Sequence, residues 1–64
     1  NPLTEREHEV LALLAEGKTT REISNMLYLS IGTVRNYIST ILDKLDVRNR
    51  IEAIKRFREK GWFR

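Results

Sequence analysis

The chain has 64 residues, with 12 Lys and Arg against 9 Asp and Glu, one His and no Cys, for a net charge of +3. A chain this short makes one domain, buries only about 60% of its unfolded surface, and has no disulfide or thiolate metal site to support it. His8 alone builds neither a zinc site nor a Ser-His-Asp relay, and the apolar run from Val10 to Ala15 stops at Glu16, far short of the roughly 20 residues that cross a bilayer. No nucleophile, base and orienting group occur together, and no Gly-rich loop cradles a phosphate, so an enzyme is not expected. What is left is a small binding module, cytoplasmic for want of a targeting segment. Its expected partner is anionic, and no cofactor, metal, membrane or small-molecule substrate is expected.

The chain lacks an initiator Met, and Asn1-Pro2 reads as the end of a linker because proline keeps the residue before it extended. Residues 1–3 are therefore expected to close an interdomain linker of a longer protein, within a single 1–64 effector domain. Strand alternation is absent, and helical spacing dominates. A first helix, about 5–16, opens on a Thr4/Glu7 capping box, carries Leu3, Val10, Leu11 and Leu14 on one stripe, and ends at Gly17. A second, about 20–27, opens on a Thr19/Glu22 box and turns Ile23, Met26 and Leu27 inward, with the small Ser24 beside them.

A three-residue turn, Tyr28-Leu29-Ser30, leads to a third helix, 31–45, capped by Ser30. Stepping 100° per residue gathers Ile31, Val34, Ile38, Ile41, Leu42 and Leu45 on one face, with Gly32, Asn36, Ser39 and Asp43 opposite. A fourth helix, 50–60, is capped by Asn49, has Ile51, Ala53, Ile54 and Phe57 as its apolar residues, and carries Arg56, Arg58 and Lys60 in its last turns. Four helices, two of them joined by a three-residue turn, predict an all-α helix-turn-helix domain. Tyr28 stands where such turns often place Gly.

The charges point to a partner. Every acid lies within residues 5–22 or 43–59, so residues 23–42 hold no carboxylate. An acid in the first turn of the third helix would stabilise it by about 0.3–1 kcal/mol, yet none is there. Its outward face is small and polar, a shape that enters a DNA major groove, where Arg suits guanine and Asn suits adenine. Arg35, Asn36 and Ser39, in the turns that dock deepest, are the expected base contacts. Lys18, Thr20, Ser30, Thr33, Tyr37 and Lys44, at helix starts and flanks, are the expected phosphate contacts.

One chain cannot bury every face of the fourth helix. Ile51, Lys55 and Arg58 are the residues expected to be left over for a two-fold contact, a homodimer on DNA reading two half-sites. Some of these residues also have plainer readings. Arg50 is as ready to pair with Glu9 or Glu16 as with DNA, His8 reads as an exposed first-turn residue, and Met26 and Tyr28 read as core edge.

Leu3-Thr4-x-Arg6-Glu7-x-Glu9-Val10-Leu11, Leu14-Ala15-Glu16-Gly17-Lys18, Glu22-Ile23, Leu29-Ser30-x-x-Thr33-Val34-Arg35 and Lys44-Leu45-x-Val47-x-x-Arg50-x-x-Ala53 together resemble the LuxR/FixJ/NarL-type DNA-binding domain, almost from end to end. The resemblance implies a tetrahelical fold, the third helix in the major groove and the fourth as dimer contact. It also implies the C-terminal output domain of a two-component response regulator, its receiver phosphorylated on Asp. The base-contacting positions of that family fall on Arg35, Asn36 and Ser39. Two departures stand out, since the family more often has Lys at the Arg35 position and His at the Tyr37 position. A third is Gly32, which weakens a helix interior by up to about 1 kcal/mol.

Two other readings remain open. One is a protein-interaction module docking on RNA polymerase or a sigma factor, which would carry an apolar outward face on the third helix. The other is a membrane-surface tail built from Lys55-Arg56-Phe57-Arg58 and Trp62-Phe63.

Overall fold

Thr4 and Glu7 satisfy each other's backbone donors, the Glu7 N–H donating to Thr4 Oγ1 at 3.2 Å and the Thr4 N–H to Glu7 Oε1 at 2.9 Å. This box starts α1 (Glu5–Ala15) in a computed structural model that describes residues 2–61. Thr19 and Glu22 repeat the device at 3.1 and 2.8 Å to start α2 (Thr20–Leu27). Ser30 and Asn49, each accepting the N–H three residues on, start α3 (Ile31–Leu45) and α4 (Arg50–Lys60). The described residues thus form the four expected helices. Asn1 of the expected linker end, and Trp62 and Phe63 of the tail, lie outside the described residues.

The stripes set by sequence meet in one core. Val10, Leu11 and Leu14 of α1, Ile23 of α2, Val34, Ile38, Ile41 and Leu45 of α3, and Ala53 and Phe57 of α4 are all at most 5% exposed. α3 is the central beam, packing on α1, α2 and α4, while α1 also packs along α4. Ser24 is buried as well, and its hydroxyl donates to the Arg21 carbonyl at 2.7 Å, so its small side chain enters the core without an unpaired donor. Among the described residues no buried side-chain nitrogen or oxygen lacks a partner, and no helix is long and apolar enough to cross a membrane.

Several expected positions are corrected. Met26 is 49% exposed and Tyr28 94% exposed, so neither lies at the core edge. α2 has only eight residues, and Ile23 with half-buried Leu27 fills its contact with α3, leaving Met26 outside. His8 is half-buried, not exposed, and its ring lies 5.3 Å from that of Phe57, tilted by 55°. On α4, by contrast, Ala53 and Phe57 are buried and Ile54 is half-buried, while Ile51 is 77% exposed, as expected of a residue left over there.

Tyr28 closes α2 in the left-handed region, φ 58 and ψ 42, and its N–H and that of Leu29 both return to the Ser24 carbonyl. Here the chain adopts the backbone that Gly would supply, with a tyrosine. A non-glycine residue in this region costs about 1–2 kcal/mol, partly offset by the lower chain entropy of tyrosine in the unfolded state. Tyr28→Gly is therefore expected to raise stability by about 0.5–1 kcal/mol, a rise of several degrees in Tm for a domain this small. Thermal melts of the two proteins check this, and an unchanged or lower Tm would show that the tyrosine ring compensates the turn.

Candidate nucleic-acid interface

Burying Val34, Ile38, Ile41 and Leu45 forces the other side of α3 outward. Gly32, Arg35, Asn36, Ser39 and Thr40 are all exposed there. No acid lies in the first turn. Instead the Ser30 hydroxyl accepts the Thr33 N–H at 3.1 Å and donates to Thr33 Oγ1 at 2.9 Å, so both polar side chains stand at the helix start. An α-helix is about 10–12 Å across with its side chains, a width that a major groove admits.

Two shallow clefts flank this face. On the side of α4, Arg35 and Ser39 meet Arg48, Asn49 and Arg50 above a floor of Ile38 and Leu42. On the side of α1, Thr33, Asn36, Tyr37 and Thr40 line a groove with Glu7. The three expected base contacts are therefore divided between the two clefts, Arg35 and Ser39 in one and Asn36 in the other, while Thr33 and Tyr37 join Asn36. Thr20 is brought to the α4 side through a 3.4 Å hydrogen bond that it accepts from Arg50 Nη1. Lys18, just before the α2 cap, and Ser30 line neither cleft. Arg50 thus takes neither Glu9 nor Glu16, the carboxylates its sequence context offered.

Lys44, an expected phosphate contact, is paired within the domain. Its Nζ donates to Glu7 Oε1 at 2.8 Å, the same oxygen that takes the Thr4 N–H. Glu7 is 5% exposed, and Lys44 neutralises it across 37 residues of chain. The hydrogen bond from Lys44, then that from the Thr4 N–H, holds the Glu7 carboxyl below its ordinary value near 4.5. Glu22 is lowered as well, by the Thr19 backbone N–H first and the Thr19 hydroxyl next.

Ile51, Lys55 and Arg58 lie together with Ile54 and Glu59 along a shallow groove of α4. Within the domain, Arg58 Nη2 donates to the Ala15 carbonyl at the end of α1 at 2.9 Å. Arg56 does the same for the Leu45 carbonyl at the end of α3, at 3.2 Å. Sequence reasoning did not place Arg48 and Asn49 beside the polar face of α3. The readable signal was two arginines bracketing a cap with no acid between them.

Comparison with known proteins fits this architecture. The pattern of the family described as "Bacterial regulatory proteins, luxR family" matches residues 1–57. The chain is 66% identical over 64 residues to the transcriptional regulatory protein DesR of Bacillus subtilis (strain 168), covering all of this chain and 32% of that protein. It is 48% identical over 61 residues to the response regulator RamR of Streptomyces coelicolor, covering 95% of this chain and 30% of that one. A solved structure of the transcription factor GerE superposes with a TM-score of 0.92 at 39% identity, covering 100% of this chain and 96% of that one. Such a fold and surface define a helix-turn-helix DNA-binding domain of transcription regulators. The chain belongs to the luxR family of bacterial regulatory proteins. It spans about a third of the length of these two curated relatives.

The Glu7–Lys44 pair carries a pH signature. Because the Glu7 carboxyl is lowered in the folded state, its contribution is complete above the ordinary carboxylate range and is lost as pH falls through that range toward the folded value. Glu7→Gln keeps an acceptor for the Thr4 N–H and removes the ion pair. It is expected to cost about 1 kcal/mol at neutral pH and to flatten the loss of stability below pH about 5. Urea titrations at neutral and acid pH check this, and a parallel loss in both proteins would place the acid sensitivity elsewhere.

Proposed function

We propose that this domain binds double-stranded DNA sequence-specifically, laying α3 in the major groove as the output domain of a two-component response regulator in the cytoplasm. The observation that carries the reading is the division of α3, with Val34, Ile38, Ile41 and Leu45 buried and Arg35, Asn36, Ser39 and Thr40 exposed within a stretch free of carboxylates. Arg35, Asn36 and Ser39 reach base edges. Lys18, Thr20, Ser30, Thr33 and Tyr37 hold phosphates, while Lys44 pairs with Glu7 and ties the α1 flank of α3 to α1. No catalytic role, cofactor or membrane contact enters this reading.

Pairing of two such domains along α4 fits the same picture. Ile51, with 77% of its surface exposed beside Lys55, is a large apolar side chain without cover on the domain. A homodimer built there presents two copies of α3 to half-sites one duplex turn apart, or a multiple of it. Docking on RNA polymerase instead of DNA is the weaker reading, because the outward face of α3 is polar. Polymerase contact in addition to DNA is compatible with the exposed Met26 and Tyr28.

Arg35→Ala is expected to lose about 1–3 kcal/mol of discrimination between a preferred and a scrambled duplex. Lys18→Ala is expected to weaken both duplexes equally and to reduce the salt slope by about one unit. Fluorescence titration over a salt series measures both effects. Equal affinity of the wild type for preferred and scrambled DNA would falsify the sequence-specific reading.

A further inference from the structure

We propose that the turn between α3 and α4 is a phosphate clamp, in which Arg48 and Arg50 grip one backbone strand of the duplex on the α4 side of the recognition helix. The inference rests on the DNA-docking reading above and adds to it a site, two residues and a strand preference.

The first observation is an uncompensated cluster of charge. Three guanidinium groups, those of Arg35, Arg48 and Arg50, line one cleft, and no carboxylate lines it with them. Among the described residues none of the three is in an ion pair. The acid nearest in sequence, Glu52, is used for the backbone, its Oε1 accepting the Arg48 N–H at 2.9 Å and its own N–H donating to the cap Asn49. Like charges gathered in a concave surface repel one another and concentrate anions.

The second observation is geometry. Arg50 spends one of its five N–H donors on the Thr20 hydroxyl, at a long 3.4 Å and in an exposed position. The start of α2 and the start of α4 are thereby joined beside the cleft, and the other donors of the fork are left for a ligand. A guanidinium fork fits two oxygens of a phosphodiester, and the apolar floor of Ile38 and Leu42 offers no competing acceptor side chain.

The third observation is asymmetry. The groove on the other flank of α3 is lined by Thr33, Asn36, Tyr37, Thr40 and Glu7, whose carboxylate is already paired with Lys44 at 2.8 Å. The two strands bordering a major groove occupied by α3 are therefore held unequally, by uncompensated cations on the α4 side and by hydroxyls, an amide and an internally neutralised ion pair on the α1 side.

The test compares Arg48→Gln, Arg48→Lys and Lys60→Gln with the wild type, on a preferred and a scrambled duplex, by anisotropy titration over a salt series. Lys60 is an exposed cation at the far end of α4, so its variant removes the same charge away from the cleft. Arg48→Gln should lower the salt slope by about 0.9, the value of one phosphate contact. It should also weaken both duplexes by the same factor, while Arg48→Lys and Lys60→Gln keep the wild-type slope. Scanning the preferred duplex with single neutral methylphosphonates should find a position on one strand that weakens the wild type but not Arg48→Gln. If the wild type discriminates between duplexes while Arg48→Gln and Lys60→Gln share its slope, the clamp is overturned and the DNA reading stands. A change in discrimination in Arg48→Gln would make Arg48 a base contact, and this too overturns the clamp. A wild type that binds no duplex overturns both proposals.

Discussion

Burial of one stripe of α3 is the constraint on which the rest of this small domain depends. Val34, Ile38, Ile41 and Leu45 are the surface on which α1, α2 and α4 all close. Each such side chain, fully buried, contributes about 1.5–3 kcal/mol, against a total stability of roughly 3–10 kcal/mol for a chain of this length. The orientation of α3 is thus fixed by the same contacts that hold the domain together. A rigid helix with one face committed to the core presents its other face without further ordering cost, which favours reading a surface as regular as a duplex groove.

The basic residues divide by role more finely than the net charge suggests. Arg56 and Arg58 cross to the carbonyls that end α3 and α1, where free carbonyl groups and the negative end of the helix dipole favour a cation. Lys44 neutralises a nearly buried carboxylate. These three cations act within the fold. Arg35, Arg48 and Arg50 have no carboxylate partner among the described residues and converge on one side of α3. A charge count alone would have pooled both groups as attraction for an anion.

Local rules made most of the fold legible. The caps at Thr4, Thr19, Ser30 and Asn49 and the left-handed Gly17 and Gly61 sit where short-range chemistry places them. Helix limits agree to within a residue, α1 ending at Ala15 because Glu16 already leaves the helix as its cap. The outward set of Arg35, Asn36 and Ser39 followed from a period of 3.6 and is exposed as that period requires. The missed features are of another kind. Lys44 finding Glu7, Arg50 finding Thr20 and His8 finding Phe57 are contacts between elements. Which side chain answers another across the bundle is set by crossing angles that no local pattern encodes. Met26 and Tyr28 are exposed despite their apolar character, because α2 spans only eight residues and the left-handed Tyr28 lies just past its end.

The central claim is that the polar side of α3 meets base pairs. Intermolecular NOEs between the labelled domain and a preferred duplex examine this directly. The account predicts NOEs from Asn36 and Ser39 side-chain protons to cytosine H5 or thymine methyl protons in the major groove. NOEs from Met26 and Tyr28 alone, with α3 protons silent, would contradict it.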